Sequence, residues 1–196
     1  MKNNKMNVLF LSNMIAEKGV WTIVEAAKVL QEKNLPVEFQ FVGKWSDITE
    51  EMFKRALIES HLEDVCFAHG GKYGKEKDEF WAAADVFVFP TFYHNECFPL
   101  VLLEAMQHHL PCISTTEGGI PGIIDDKETG FLIEKHDYHT LADKLEYFIE
   151  HSEESDRMGE NGYRKFQDKF TLRKFEVSMV DILNDCLHSD DLIALC

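Results

Sequence analysis

The chain has 196 residues, 45% of them apolar, enough for one large domain with its own core, and no run of about 18 apolar residues that could cross a membrane. Its net charge of −15 is one-sided: residues 1–75 carry 10 basic and 10 acidic side chains, and residues 76–196 carry 10 basic and 25 acidic. Such a surface argues against nucleic acid as a partner, because that binding relies on Lys and Arg neutralising phosphates.

The predicted elements alternate. Residues 8–11 read as a short apolar strand. Residues 19–32 set Val20, Ile23, Val24, Ala27 and Leu30 on one helical face. A second strand at 37–42 ends at Gly43, and 49–60 is helical, with Met52, Ala56 and Leu57 apolar. Then come a strand at 65–68, a helix at 76–84, a strand at 86–89, a helix at 99–108 and strands at 112–115 and 130–133. Helices at 141–149, 155–166 and 172–187 close the chain. Short strands alternating with helices predict an α/β fold of about six parallel strands, a Rossmann-like three-layer sandwich with helices on both faces. Ligands of such sheets bind beyond the carboxyl ends of the strands. Five loops follow strands onto that edge: 12–18, 43–46, 69–74, the loop holding Glu96, and 116–119. No repeat or internal linker breaks the pattern, so residues 1–196 are expected to form a single domain.

The loop after the fourth strand carries the chemistry. Glu96 precedes a helix expected to open at Pro99, where a missing N–H costs nothing. Glu104 lies inside that helix, roughly 7 Å along its axis from the start. Between the carboxylates are free N–H groups and the positive end of a helix dipole, a seat for an anion. Two acids around an anion seat suit a ligand with hydroxyl-rich rings on either side of a phosphate bridge, as in a nucleotide-sugar. Alone, either Glu reads as a dipole partner or a solvated side chain. Glu104, however, is surrounded by Leu100, Val101, Leu102, Leu103, Ala105 and Met106, and a carboxylate there needs a partner.

Other motifs fail on spacing. The run Gly70-Gly71-Lys72-Tyr73-Gly74-Lys75-Glu76 has too short a gap for a phosphate loop and ends in Glu where Ser or Thr must meet magnesium. The Gly118-Gly119-Ile120-Pro121-Gly122 run lacks dinucleotide spacing. The pairs His136/His139 and His108/His109 have no zinc-spaced companions, so no metal is expected. Five cysteines without a C-x-x-C pair, and an N-terminus without an apolar leader, point to free thiols and a cytoplasmic protein.

The segment Glu96-Cys97-Phe98-Pro99-Leu100-Val101-Leu102-Leu103-Glu104-Ala105-Met106 strongly resembles the Glu-x7-Glu signature of family 4 (group 1) glycosyltransferases. The likeness extends through Pro111 to Pro121 and through Thr129-Gly130-Phe131-Leu132. Upstream it takes in Leu9 to Gly19, Phe41-Val42-Gly43 and Phe67-Ala68-His69-Gly70. The resemblance implies the C-terminal half of a GT-B fold, which holds a nucleoside diphosphate sugar such as a UDP- or GDP-sugar. It implies sugar transfer with retention of configuration, without a metal or other cofactor, in polysaccharide or glycolipid synthesis.

Carried across on matching positions, Glu96 looks like the carboxylate near the anomeric carbon and Lys18 like the diphosphate lysine, the two catalytic candidates. Glu104 resembles the ribose partner. The backbone at Phe98, Pro99 and Leu100, together with Asn13, Gly43, His69, Gly70 and Gly119, completes the expected donor site. Many members carry Gly-Arg where this chain has Ser12-Asn13, so a cationic contact is lost there. An N-terminal acceptor domain is expected to precede Met1. The chain alone is then expected to bind donor weakly and transfer little, and the acceptor could lie at the inner face of a membrane. A GT-B epimerase or phosphorylase is the nearest alternative, and a receiver-like binding domain a remote one.

Overall fold

The computed structural model describes residues 5–188, so Cys196 and the residues before Lys5 lie outside it. The chain divides into two units, separated between Tyr163 and Arg164. The first holds six strands: β1 (Met6–Leu11), β2 (Val37–Val42), β3 (Cys66–Ala68), β4 (Val86–Phe89), β5 (Cys112–Thr115) and β6 (Gly130–Ile133). Its helices are α1 (Val20–Glu32), α2 (Glu50–Glu59), α3 (Lys75–Ala83), α4 (Leu100–Gln107), α5 (Ile120–Ile123) and α6 (Tyr138–Glu150). Helix α7 (Ser152–Lys169) follows α6, and in the second unit α8 (Leu172–His188) begins at Thr171, whose hydroxyl accepts the Lys174 N–H. Among the described residues no helix is long and apolar enough to cross a membrane.

The sheet is parallel throughout, in the order β3-β2-β1-β4-β5-β6. That is the doubly wound Rossmann order, and its direction reverses between β1 and β4. Right-handed crossovers therefore send helices to opposite faces on the two sides of that point. Helix α6 returns to pack on α1. The order also separates the fold from a receiver-like one, which runs 2-1-3-4-5. Strands β4 and β5 are buried along their whole length, as apolar strands covered on both faces must be. The core centres on aromatic rings: Phe41 meets Phe53 edge-on at 4.9 Å and lies 5.7 Å from Phe10.

Strands β2, β4, β5 and β6 start and stop where the apolar runs do. Helix α4 begins one residue later than expected, with Pro99 as its cap in an extended conformation. Two short features were not anticipated: a 3-10 turn at Ala16–Lys18, and α5, in which Pro121 occupies the first turn.

Candidate donor-binding cleft

At the switch between β1 and β4 the chain leaves a cleft of about 370 Å³, within the size range of small-molecule sites. Its walls come from the loops after β1, β2, β3 and β4 and from the first turns of α4.

Backbone hydrogen bonds hold those loops together. The Ser12 N–H donates to the Val42 carbonyl at 3.0 Å, and Met14 N–H to that of Lys44 at 2.8 Å, so the β1 and β2 loops are hydrogen-bonded to each other. On the other side the Phe92 N–H donates to the Glu17 carbonyl at 2.8 Å, binding the 3-10 turn to the β4 loop. The Ser114 hydroxyl donates to the Phe89 carbonyl at 2.6 Å and steadies the end of β4.

Lys18 projects from its turn onto the Glu96 carboxylate, and the ion pair is largely buried, with side-chain exposures of 14% and 10%. The ammonium also lies 4.3 Å from the Tyr93 ring centre, a cation–π contact. One turn into α4, Glu104 accepts from Lys77 at 2.9 Å. Helix α3 therefore supplies the partner that a carboxylate among apolar neighbours requires. Lys44 and Lys72 line the same cleft, which thus presents four lysines against two glutamates in a strongly acidic chain. A positive seat of this kind attracts an anion.

Of the positions singled out from sequence, Asn13, Lys18, Gly43, Glu96, Pro99, Leu100 and Glu104 line this cleft together. His69 does not. It faces a separate apolar groove beside Trp45, Phe53 and Leu57, hydrogen-bonds Gln40 at 2.7 Å and rests 4.6 Å from the Phe80 ring. Burial pushes its pKa below the usual imidazole value, and nearby Lys72 pushes in the same direction. Gly70 contributes a carbonyl that accepts the Gly43 N–H at 2.9 Å, and so supports the wall from behind. The loop after β5 also lies beneath the cleft, with the Gly119 N–H donating to the Cys97 carbonyl at 2.9 Å. Phe98 is half-exposed beside Gly119 and outside the lining.

Lys44, Lys72, Tyr73 and Lys77 were not anticipated as site side chains. For Lys44 a signal existed, since it directly follows Gly43 on the ligand edge. Lys77 sits in a run of charged residues that reads as an ordinary solvated helix. Beside the loop after β5, Lys135 pairs with Glu117 and holds its carboxyl below the ordinary range. The cysteines at 66, 97 and 112 are free thiols, and burial pushes the Cys66 thiol up to about 12. Among the described residues no three His, Cys, Asp or Glu side chains group as a metal site.

Residues 1–165 match the family model of glycosyl transferases group 1. The capsular polysaccharide biosynthesis glycosyltransferase CapM of Staphylococcus aureus is 26% identical over 171 residues, spanning 86% of this chain and 43% of CapM. The C-terminal domain of the group 1 glycosyl transferase LpcC of Francisella tularensis superposes with a TM-score of 0.75 at 26% identity, covering 85% of this chain and 87% of that domain. Anabaena HepE in complex with UDP-glucose superposes with a TM-score of 0.82 at 19% identity, covering 93% of this chain and 49% of HepE. The chain thus spans less than half the length of the curated relative it matches.

Proposed function

This chain belongs to the group 1 glycosyl transferases, and we propose that it is the donor-binding half of a retaining enzyme that moves a sugar from a nucleoside diphosphate sugar to an acceptor. One observation carries this reading: Glu96, Lys18 and Glu104 converge on a single cleft at the N-terminal end of α4. The UDP-glucose held by HepE supports a UDP-sugar as donor, and a GDP-sugar satisfies the same chemistry.

The donor lies with its sugar at Glu96, its diphosphate over the first turn of α4 and its ribose at Glu104. Free N–H groups at the helix start receive the phosphate oxygens. Lys18 leaves Glu96 for the diphosphate. There it offsets the negative charge that grows as the bond from the anomeric carbon to the phosphate oxygen breaks, which lowers the barrier because that charge is larger in the transition state than in the bound donor. Glu96, released from Lys18, orients the sugar hydroxyls and faces the positive charge developing at the anomeric carbon. No step calls on a metal or cofactor. The acceptor and its binding residues belong to an N-terminal domain, in a cytoplasmic enzyme of polysaccharide or glycolipid synthesis whose acceptor can sit at the membrane's inner face.

Titration of the chain with UDP-glucose and GDP-mannose, read by calorimetry and melting temperature, tests the reading. Binding to one of them, with little or no transfer to any acceptor, is the expected result. No thermal shift with any nucleotide-sugar at millimolar concentration would remove the donor site, and robust transfer by this chain alone would remove the half-enzyme assignment.

A further inference from the structure

Tyr93 lies outside the lining of the cleft, yet it holds both members of the ion pair inside it. Its carbonyl accepts the Glu96 N–H at 2.9 Å, and its ring centre lies 4.3 Å from the Lys18 ammonium. Phe89 offers the same ammonium a second ring at 5.5 Å. The backbone of Tyr93 is fastened in turn to the Lys18 side. Its N–H donates to the buried Thr91 hydroxyl at 3.2 Å, and that hydroxyl donates at 3.3 Å to the carbonyl of Glu17, one residue before Lys18. The ring is therefore set at a fixed place between the loop of the lysine and the loop of the acid.

We propose that Tyr93 is a positioning residue of the donor site, whose ring holds the Lys18 ammonium in place when that lysine passes from Glu96 to the diphosphate; this rests on the donor-site reading above. Glu96 restrains the ammonium but cancels its charge, so a lysine held by the carboxylate alone offers little to an anion. The face of an aromatic ring attracts a cation through its quadrupole and carries no net charge. A lysine held there keeps its full positive charge available to phosphate oxygens. The ammonium is also largely out of water, where a charge without a counterpart is costly, and the ring supplies that counterpart between one anion and the next. Lysine has a long flexible stem, and restraining it before the donor arrives removes part of the ordering cost of binding.

Calorimetric titration with UDP tests this in the chain and in its Tyr93→Phe, Tyr93→Leu, Lys18→Met and Lys18→Met/Tyr93→Leu variants. Tyr93→Phe keeps the ring and should bind UDP within about twofold of the unaltered chain. Tyr93→Leu should bind about fivefold more weakly, the effect of one partly desolvated cation–π contact. On the Lys18→Met background Tyr93→Leu should change nothing further, because a residue that acts through Lys18 has no effect once the ammonium is gone. Mono-, di- and trifluorinated phenylalanine in place of Tyr93 drain the ring face of negative charge at nearly constant shape. UDP affinity should fall stepwise along that series, an arm that stands even where Tyr93→Leu fails to fold. Equal weakening by Tyr93→Leu with and without Lys18, or a flat fluorinated series, would reduce Tyr93 to a support of its loop while the donor site stands. No binding of UDP by the unaltered chain at millimolar concentration would remove the donor site and this role with it.

Discussion

A Cβ placed on Gly118 would lie 1.5 Å from the carbonyl oxygen of Glu96. The loop after β5 is thus a floor on which the Glu96 loop rests, and Gly118 also holds a left-handed φ of 52°. Gly118→Ala must lift the Glu96 loop or strain its own backbone. The expected loss of stability is about 1–3 kcal/mol, with a melting temperature lower by roughly 2–4 °C per kcal/mol. UDP-glucose affinity should fall with it. Unchanged melting and binding would show that the loop after β5 gives no support to the site.

Lys18 and Glu96 form an ion pair in the cleft, and the proposed donor would divide their roles. Lys18→Met should weaken UDP about tenfold or more, through loss of a charge-assisted bond to phosphate. Glu96→Gln should leave UDP binding nearly intact and reduce the extra affinity that the sugar of UDP-glucose adds. Titration of both ligands into both variants separates the roles. Identical effects of the two substitutions on UDP and UDP-glucose would refute the division.

Lys77 and Glu104 form a second ion pair in the cleft, where the proposed donor would place its ribose. If Glu104 receives the ribose diol, the chain prefers UDP to 2′-deoxy-UDP, and Glu104→Gln reduces that preference. Lys77→Met frees the Glu104 carboxylate to turn away, so it should act in the same direction but more weakly. The preference is read as a ratio of dissociation constants. A ratio near one in the unaltered chain would take the ribose role away from Glu104.

His69 lends the fold a pH dependence. Burial lowers its pKa below 6.5, so as pH falls the unfolded chain takes up this proton before the folded chain does. Its contribution to stability is therefore undiminished above the unfolded-state value and is lost as pH falls through 6.5 toward the folded value. The melting temperature of the unaltered chain should drop more steeply than that of His69→Gln between pH 7.5 and pH 5.5, about one unit either side of the ordinary imidazole pKa. Parallel curves for the two proteins would exclude His69 as the source.

Phe41 ties β2 to Phe10 and Phe53 in the buried core. Phe41→Ala should cost about 3–5 kcal/mol, the range for emptying an aromatic site in a close-packed interior. Denaturant unfolding measures it. A loss below about 1 kcal/mol would mean that the neighbours close over the gap.

Most of the architecture could be read from the chain because its signals are local. The alternation at Val37–Val42 and the apolar run at Val86–Phe89 are local strand signals, and the Glu-x7-Glu spacing around the start of α4 identified two of the residues that line the cleft. Where local signals conflict, the reading was less complete. Helix α5 contains a proline and a glycine within four residues and has no periodicity to display. His69 follows a three-residue edge strand, too short to reveal which face it takes, and it turned to the other groove.

Periodicity and turn chemistry involve residues a few positions apart, so the order of elements and the two acids of the cleft were set by the sequence itself. Which lysine answers each acid was decided only by the folded sheet. Lys18 reaches Glu96 across 78 positions and Lys77 reaches Glu104 across 27. A charged side chain looks the same in sequence whether it faces water or a carboxylate. Only the reversal of strand order between β1 and β4, with the crossovers it imposes, brings these four charges into one cleft.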